Sequence, residues 1–316
     1  MTRTHLAALC TALAAAAALA LAPPAAAQIE PFAAPGTSGS VSANAWWSWG
    51  NSTWEHDIFD LGVAGSKLDW QDIESPVAMI SGEFAWRFLV VSGAVGLGPV
   101  LDGTFIDDDF ILGSVFSRTR STVEDGEVMT VNADVGVRAL RWRDTQGQRG
   151  HLDVLVGYYY WREEYEAFGA VPLIGPISIP ANVKAITHEW EWHGARVGAR
   201  LDAPVWKNLR YRLSLFFLPW SALEVRDVHH LRDDLAQNPS IVSDATGGFG
   251  FQIEGSVTYR IVHGLSVEVG VRYWQVSMDD GRVTFRHADG TTTTHRLVEG
   301  TTDRFGPYAG LTYRFP

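Results

Sequence analysis

The sequence is short of several things. Its 316 residues include one cysteine, Cys10, and only 19% are charged. Cys10 falls in an apolar leader, so the mature chain has no thiol, and neither disulfides nor thiolate metal sites are open to it. Nor does it suit lipid attachment, because Leu9 precedes it and apolar residues follow. Cations are outnumbered, with 25 Lys+Arg against 36 Asp+Glu and a formal net charge of −11. That balance argues against a nucleic-acid partner, since phosphate binding needs a cationic face. After the leader, no apolar run reaches the roughly 18 residues that a transmembrane helix needs. Helical periodicity is scarce as well. The disorder signature of low hydrophobicity with high net charge is missing, because 46% of the chain is hydrophobic.

Residues 1–27 have Arg3 near the start, an apolar run from Leu6 to Leu21, and Ala25-Ala26-Ala27 at the end. This is the pattern of a secretory signal peptide, with cleavage expected before Gln28. Losing Arg3 leaves the mature chain one unit more negative. Residues 28–316 show no linker and no longer repeat, so one domain is expected.

Glycine is abundant at 31 residues, and aromatics make up 12% with 13 Trp. Strict alternation recurs. Val131, Ala133, Val135, Val137 and Ala139 alternate with Asn132, Asp134, Gly136 and Arg138. The runs 209–217, 267–273 and 309–315 repeat the pattern. Each run puts one face in an apolar medium and the other in a polar one. A soluble sandwich also alternates, but here the runs often exceed ten residues and their polar face carries Arg, Glu, Asp and Gly. Aromatics cluster near the run ends, at Trp46, Trp47 and Trp49, at Trp86 and Phe88, at 158–161, at Trp190 and Trp192, and at Tyr273 and Trp274. These features predict an all-β, antiparallel transmembrane β-barrel in a bacterial outer membrane, with aromatic girdles. The closing Tyr308–Phe315 segment resembles a C-terminal barrel-assembly signal, although Pro316 follows it.

About ten strands are expected, near 38–58, 65–86, 88–106, 126–143, 150–167, 186–202, 208–228, 248–262, 264–279 and 301–315. Short periplasmic turns fall at Arg87, 144–149, 203–207 and 263–264. Extended outer loops are expected at 59–64, 107–125, 168–185, 229–247 and 280–300. A barrel this narrow is largely filled by its own side chains, which argues against a wide passive pore. Function is expected at the loop end, above a rigid wall.

Two motifs lie there. Asp107 and Asp109 are i and i+2, so they share a face of an extended chain, with Asp108 opposite. Two adjacent carboxylates repel, so one should hold a proton or position water. Asp227 and His229 are also i and i+2, and a carboxylate beside an imidazole makes it a better general base. The plainer readings are a solvated strand tip, or a weak calcium site, for the first motif and a surface ion pair for the second. Gly96, Gly98 and Gly103 are read as relief of strand curvature. The 168–182 stretch, with Pro172, Pro176 and Pro180, is read as a stiff loop. His287, His295 and Asp289 lack diagnostic metal spacing, and no metal or cofactor is expected.

At these residues the sequence resembles the omptins, a family of ten-stranded outer-membrane proteases. Ser66-Lys-Leu-Asp69-Trp70 and Ile80–Trp86 resemble the family's second-strand segment, and Ile106–Phe110 and Asp227-Val228-His229 its two catalytic motifs. Gly157-Tyr158-x-x-x-Arg162 resembles a lipopolysaccharide-contacting segment. The resemblance implies that Asp227 and His229 activate a water, and that Asp107 and Asp109 position it across a cleft. It also implies pocket acids that select basic residues. Glu55 is the match for one, but Val225 stands where the other should be, which weakens that selection. Tyr158 and Arg162 would contact lipopolysaccharide, with lipid-dependent activity as the expectation. Tyr160 and Glu191 depart from that pattern. The partners implied are peptide or protein substrates, cationic by steering, and the outer-membrane lipid, with a monomeric barrel expected. The competing reading is a non-enzymatic barrel of the same architecture: an adhesin, an envelope-structural protein or a small channel.

Overall fold

A computed structural model of the protein describes residues 28–32, 36–57 and 64–315. The leader, residues 1–27, and the tip of the first outer loop, 58–63, lie outside the described residues. The elements in chain order are β1 (Gln28–Ile29), β2 (Thr37–Asp57), β3 (Ser66–Trp86), β4 (Leu89–Pro99), β5 (Asp102–Ile111), β6 (Ser114–Arg143) and β7 (Arg149–Ile174). They continue with β8 (Ile179–Trp206), β9 (Leu209–His229), β10 (Ile241–Arg260), β11 (Leu265–Met278), β12 (Gly281–Arg286) and β13 (Thr292–Phe315).

All pairings are antiparallel, and they form a closed ring. β4 and β5 both lie between β3 and β6, as two halves of one wall position. β11 and β12 likewise share the position between β10 and β13. Counted this way the ring has about ten strands, closed by β13 on β2 and by β6 on β7. Closure satisfies every strand edge inside the wall, which a hydrocarbon surrounding requires. The short β1 pairs with the end of β6.

The expected short turns are present, with Arg87 and Lys207 taking left-handed φ of 55° and 43° in tight connections. The expected outer loops are different. Residues 107–111 continue β5, a turn follows at Leu112-Gly113, and β6 already begins at Ser114. Similarly, β7 and β8 leave only 175–178 between them, and most of 280–300 is β12 and β13. The proline- and charge-rich composition of these stretches reads as loop. In water both faces of a strand can be polar, so the ladder simply continues beyond the apolar band.

That band is visible on the outward face. On β13 it runs from Phe305 to Phe315 through Pro307, Ala309, Leu311 and Tyr313, close to the 9–11 residues of a membrane-spanning strand. Val41, Ile80, Val95, Val135, Val156 and Val269 extend it around the ring, all more than 45% exposed.

The interior has levels, which can be followed along the inward positions of β13 from Thr312 up to His295. Beside the apolar band, carboxylates are held by arginines. Asp202 accepts from Arg210, Arg212 and Arg314, Asp134 from Arg196, and Asp153 from Arg138. Glu83 is reached by Arg138 and Arg200. A cavity of about 80 Å³ remains among these groups.

Above this network, Trp46, Tyr159, Trp161, Trp192 and Trp274 fill the lumen, each at most 1% exposed. They surround a fully buried Arg304–Glu163 ion pair. These aromatics belong to the runs expected to form girdles. Because alternate residues face opposite ways, Trp47, Trp49 and Tyr158 reach the outer surface while Trp46, Tyr159 and Trp161 become an internal plug. Each buried indole removes about 150–250 Å² from water, worth about 4 kcal/mol or more at 25 cal/mol/Å². The glycines beside this packing allow close approach: a Cβ on Gly98 would lie 2.3 Å from the Pro76 carbonyl oxygen, and one on Gly103 would lie 2.4 Å from Ile73 Cδ1.

Candidate active site

Above the plug the inward side chains become titratable. On β5, Asp107 stands across from buried Leu68, and Phe105 from buried Trp70, so Asp107 and Asp109 share the inward face. Asp108 turns the other way and is held by Arg118 through two hydrogen bonds of 2.5 and 2.6 Å. On β9 the inward residues are Val225, Asp227 and His229, with Val225 and Asp227 buried. The Ser240 hydroxyl accepts from the His229 backbone N–H at 3.0 Å, and the Ser240 N–H donates to the Asp227 carbonyl at 2.6 Å. These bonds fix the start of the 230–240 loop against the strand end.

β5 and β9 lie on opposite walls of the ring, yet the two pairs are close enough to interact. Asp107 is pushed up to about 7, first by burial, then by the charges of Asp109, Asp108 and Asp227. Asp109 is also raised by burial, with Arg232 opposing the shift. His229 is lowered by burial, against the pull of Asp227. At neutral pH the mouth therefore combines a neutral imidazole with a carboxyl that still carries much of its proton.

The ion pair of Asp227 is with His188. His188 faces Asp227 in register across the β8–β9 ladder, and its Nδ1 contacts Asp227 Oδ1. The sequence reading paired Asp227 with His229 alone. Here His229 is the next inward residue along the strand, and the side-chain contact of Asp227 is with His188. His188 is fully buried, with its ring centroid 5.4 Å from that of Trp70 and 5.1 Å from that of Trp190.

A third histidine, His56 on β2, packs on Trp54 at 4.5 Å and lies 5.3 Å from Phe285 and 6.1 Å from His295. It is lowered to about 3, chiefly by burial and then by His295. His56 and His188 were not recognised in the sequence. The signal for both was parity: His188 shares its face with Trp190 and Trp192, and His56 shares its face with Trp46 and Trp54.

The same parity corrects Glu55. It stands opposite Lys67 and Glu299, between the inward Trp54 and His56, and so points to the outside of the barrel. Val225 faces inward. Tyr158 and Arg162 lie on the outer surface of β7. Arg162 donates to Glu189, to Glu164 at 2.6 Å and to Glu127 at 3.1 Å, so its guanidinium is already bound by carboxylates. His287 Nε2 is 2.7 Å from the Thr293 hydroxyl, and Asp289 accepts from Thr291, while His295 turns toward the cleft, so these three do not converge. Among the described residues one group with metal-ligand spacing, Glu83, His151 and Asp153, lies low in the lumen, where Arg138 and Arg200 already occupy the carboxylates.

This arrangement is suited to activating water. A neutral imidazole backed by a buried carboxylate can accept a proton, and a protonated carboxyl opposite can hydrogen-bond a carbonyl.

The sequence matches no protein-family model and no curated protein. A major outer membrane protein from Thermus thermophilus is 13% identical, with 89% of this chain and 100% of that one covered and a TM-score of 0.34. The outer membrane protease OmpT from Escherichia coli is 14% identical, with 91% of this chain and 98% of that one covered and a TM-score of 0.71. The fold is therefore an outer-membrane β-barrel of about ten strands, built like that of the omptin OmpT.

Proposed function

We propose that this protein is an outer-membrane endopeptidase, anchored after loss of the 1–27 leader, with its long-stranded mouth facing the cell exterior. The observation that carries this reading is that Asp107 and Asp109 on β5 and Asp227 and His229 on β9 face inward from opposite walls of the same mouth. A barrel that served only as an adhesin or scaffold would gain nothing from burying these groups together.

In this mechanism His229 takes a proton from a water held between the two walls. Asp227, steadied by His188, stabilises the imidazolium that forms. The proton shared by Asp107 and Asp109 is offered to the peptide carbonyl oxygen as water attacks, so charge developing on that oxygen is met in place. His229 then returns its proton to the leaving amine. No side chain is acylated.

The test is cleavage of an unbiased peptide library by the refolded protein, with and without lipopolysaccharide, beside His229→Ala and Asp107→Asn. Both variants should lose about 10²–10⁴-fold in rate, the usual contribution of general acid–base groups. Because Arg162 is already bound by three carboxylates, omitting lipopolysaccharide should change the rate far less than either substitution. No cleavage by a well-folded wild type would return the protein to the non-enzymatic barrel reading.

A further inference from the structure

At the end that carries the short turns, opposite the candidate active site, the lumen opens into a cavity of about 1090 Å³. Its lining comes from strand ends: the starts of β2, β7 and β9 and the ends of β6, β10 and β13. Seven arginines line it, against one carboxylate, that of Glu30. Alternation places them there. Leu140, Tyr259 and Tyr313 are exposed on the outer face, so Arg141, Arg260 and Arg314, one residue further along, turn inward. A neighbouring cavity of about 280 Å³ shares Arg210, Arg260 and Arg314 and adds Lys207 and His263. A chain with a net charge of −11 thus gathers cations at one end of its lumen.

The carboxylates behind this wall do not match its cations. Asp202 is divided among Arg210, Arg212 and Arg314, while Asp153 and Glu83 are taken by Arg138. Arg260 has a neutral partner, the Asn208 side-chain oxygen at 2.7 Å. Arg149 is two-thirds exposed and reaches Glu30 only at 3.7 Å. Glu30 accepts from Arg143 Nε at 2.5 Å, and its own N–H donates to the Arg141 carbonyl at 2.9 Å. The segment after β1 therefore lays a single carboxylate between two guanidiniums, beside open volume. Guanidinium forks bind phosphate and carboxylate groups through paired N–H donors, and a recess lined by one sign of charge concentrates counterions. The volume lies at the upper end of ligand pockets, roughly 300–1,000 Å³, and exceeds what one inorganic ion fills. We propose that this end of the lumen binds a small polyanion bearing two or more phosphate or carboxylate groups, with Glu30 holding one oxyanion position until the ligand displaces it. The ligand enters from the end opposite the mouth, because the indole plug separates the two. The inference does not depend on the endopeptidase reading.

The experiment is titration calorimetry on the refolded barrel in uncharged detergent, at constant ionic strength, with pyrophosphate as the phosphate probe and citrate as the carboxylate probe. Folded wild type should bind at least one of them, and the tighter probe identifies which acid group the site prefers. Arg149→Ala combined with Arg260→Ala should weaken that binding about tenfold or more, the scale of a lost charge-assisted hydrogen bond. Glu30→Gln should tighten it by removing the resident carboxylate. No binding of either probe by folded wild type would overturn the inference. An affinity unchanged by the double arginine substitution would also overturn it, by placing the probe elsewhere. If the double variant does not fold, Glu30→Gln decides, with tighter binding supporting the site and equal or weaker binding overturning it.

Discussion

The lower and upper interiors of this barrel treat buried charge in opposite ways. Below the plug, Asp202 sits among Arg210, Arg212 and Arg314, and Asp134 is held by Arg196 at 2.6 and 2.7 Å. There each carboxylate has a guanidinium, and pairing of this kind is what makes a buried charge tolerable. Above the plug, Asp107, Asp227 and three histidines share one another's company. Arg232 eases only Asp109. The lower set holds strands in register. In the upper set Asp107, His56 and His229 hold proton affinities displaced from their ordinary values, the condition that acid–base chemistry needs and that stability alone disfavours.

Substitutions in the two regions should therefore fail differently. Asp202→Asn leaves three arginines without their shared carboxylate. It should cost about 3–5 kcal/mol of stability, seen as a lower unfolding temperature with unchanged cleavage per folded molecule. His229→Ala should do the reverse, and similar losses of stability from both would erase the distinction.

Asp107→Asn comes next. The folded carboxyl is held near 7, against 3.8 ordinarily. Below pH 3.8 it is protonated whether the chain is folded or not, and costs nothing. Between 3.8 and 7 the cost grows, and above 7 it is fully present, at most about 4 kcal/mol. Asp107→Asn should therefore raise the unfolding temperature at pH 8 and hardly change it at pH 4. Wild-type cleavage should decline above pH 7 as this proton is lost, and the residual activity of the variant should lack that decline. Since burial lowers His229, the acid limb should lie below the ordinary histidine value of 6.5.

The smallest effect is expected for His188→Asn. It should lower kcat on the order of tenfold, the scale on which orienting partners act, with little change in KM. An unchanged kcat and pH profile would make His188 a packing residue only.

The sequence made the barrel legible because alternation is a property of single strands: Val267, Val269 and Val271 announce their environment without reference to any other strand. Strand length was less legible. Where a wall rises into water, both faces turn polar, and Thr119, Arg120 and Ser121 look like loop although they pair with β5. The two candidate motifs stood out as local i and i+2 pairs. His188 was hidden because its partner is 39 residues away, across a ladder whose register no local pattern reveals. Glu55 was misplaced for a simpler reason: it was matched by residue type, when its neighbours Trp54 and His56 already determined which way it must point.

The indole plug would also determine where peptides go if the mouth cuts them as proposed. Trp46, Trp161, Trp192 and Trp274 close the lumen beneath the mouth, and directly below them a cavity of a few waters' size lies among the ion pairs. A vessel closed at the bottom exchanges its contents through its rim alone. Under the proposed activity, fragments would leave by the route their parent entered, so a cell bearing this barrel could dismantle what arrives at its surface without taking up the pieces through the lumen.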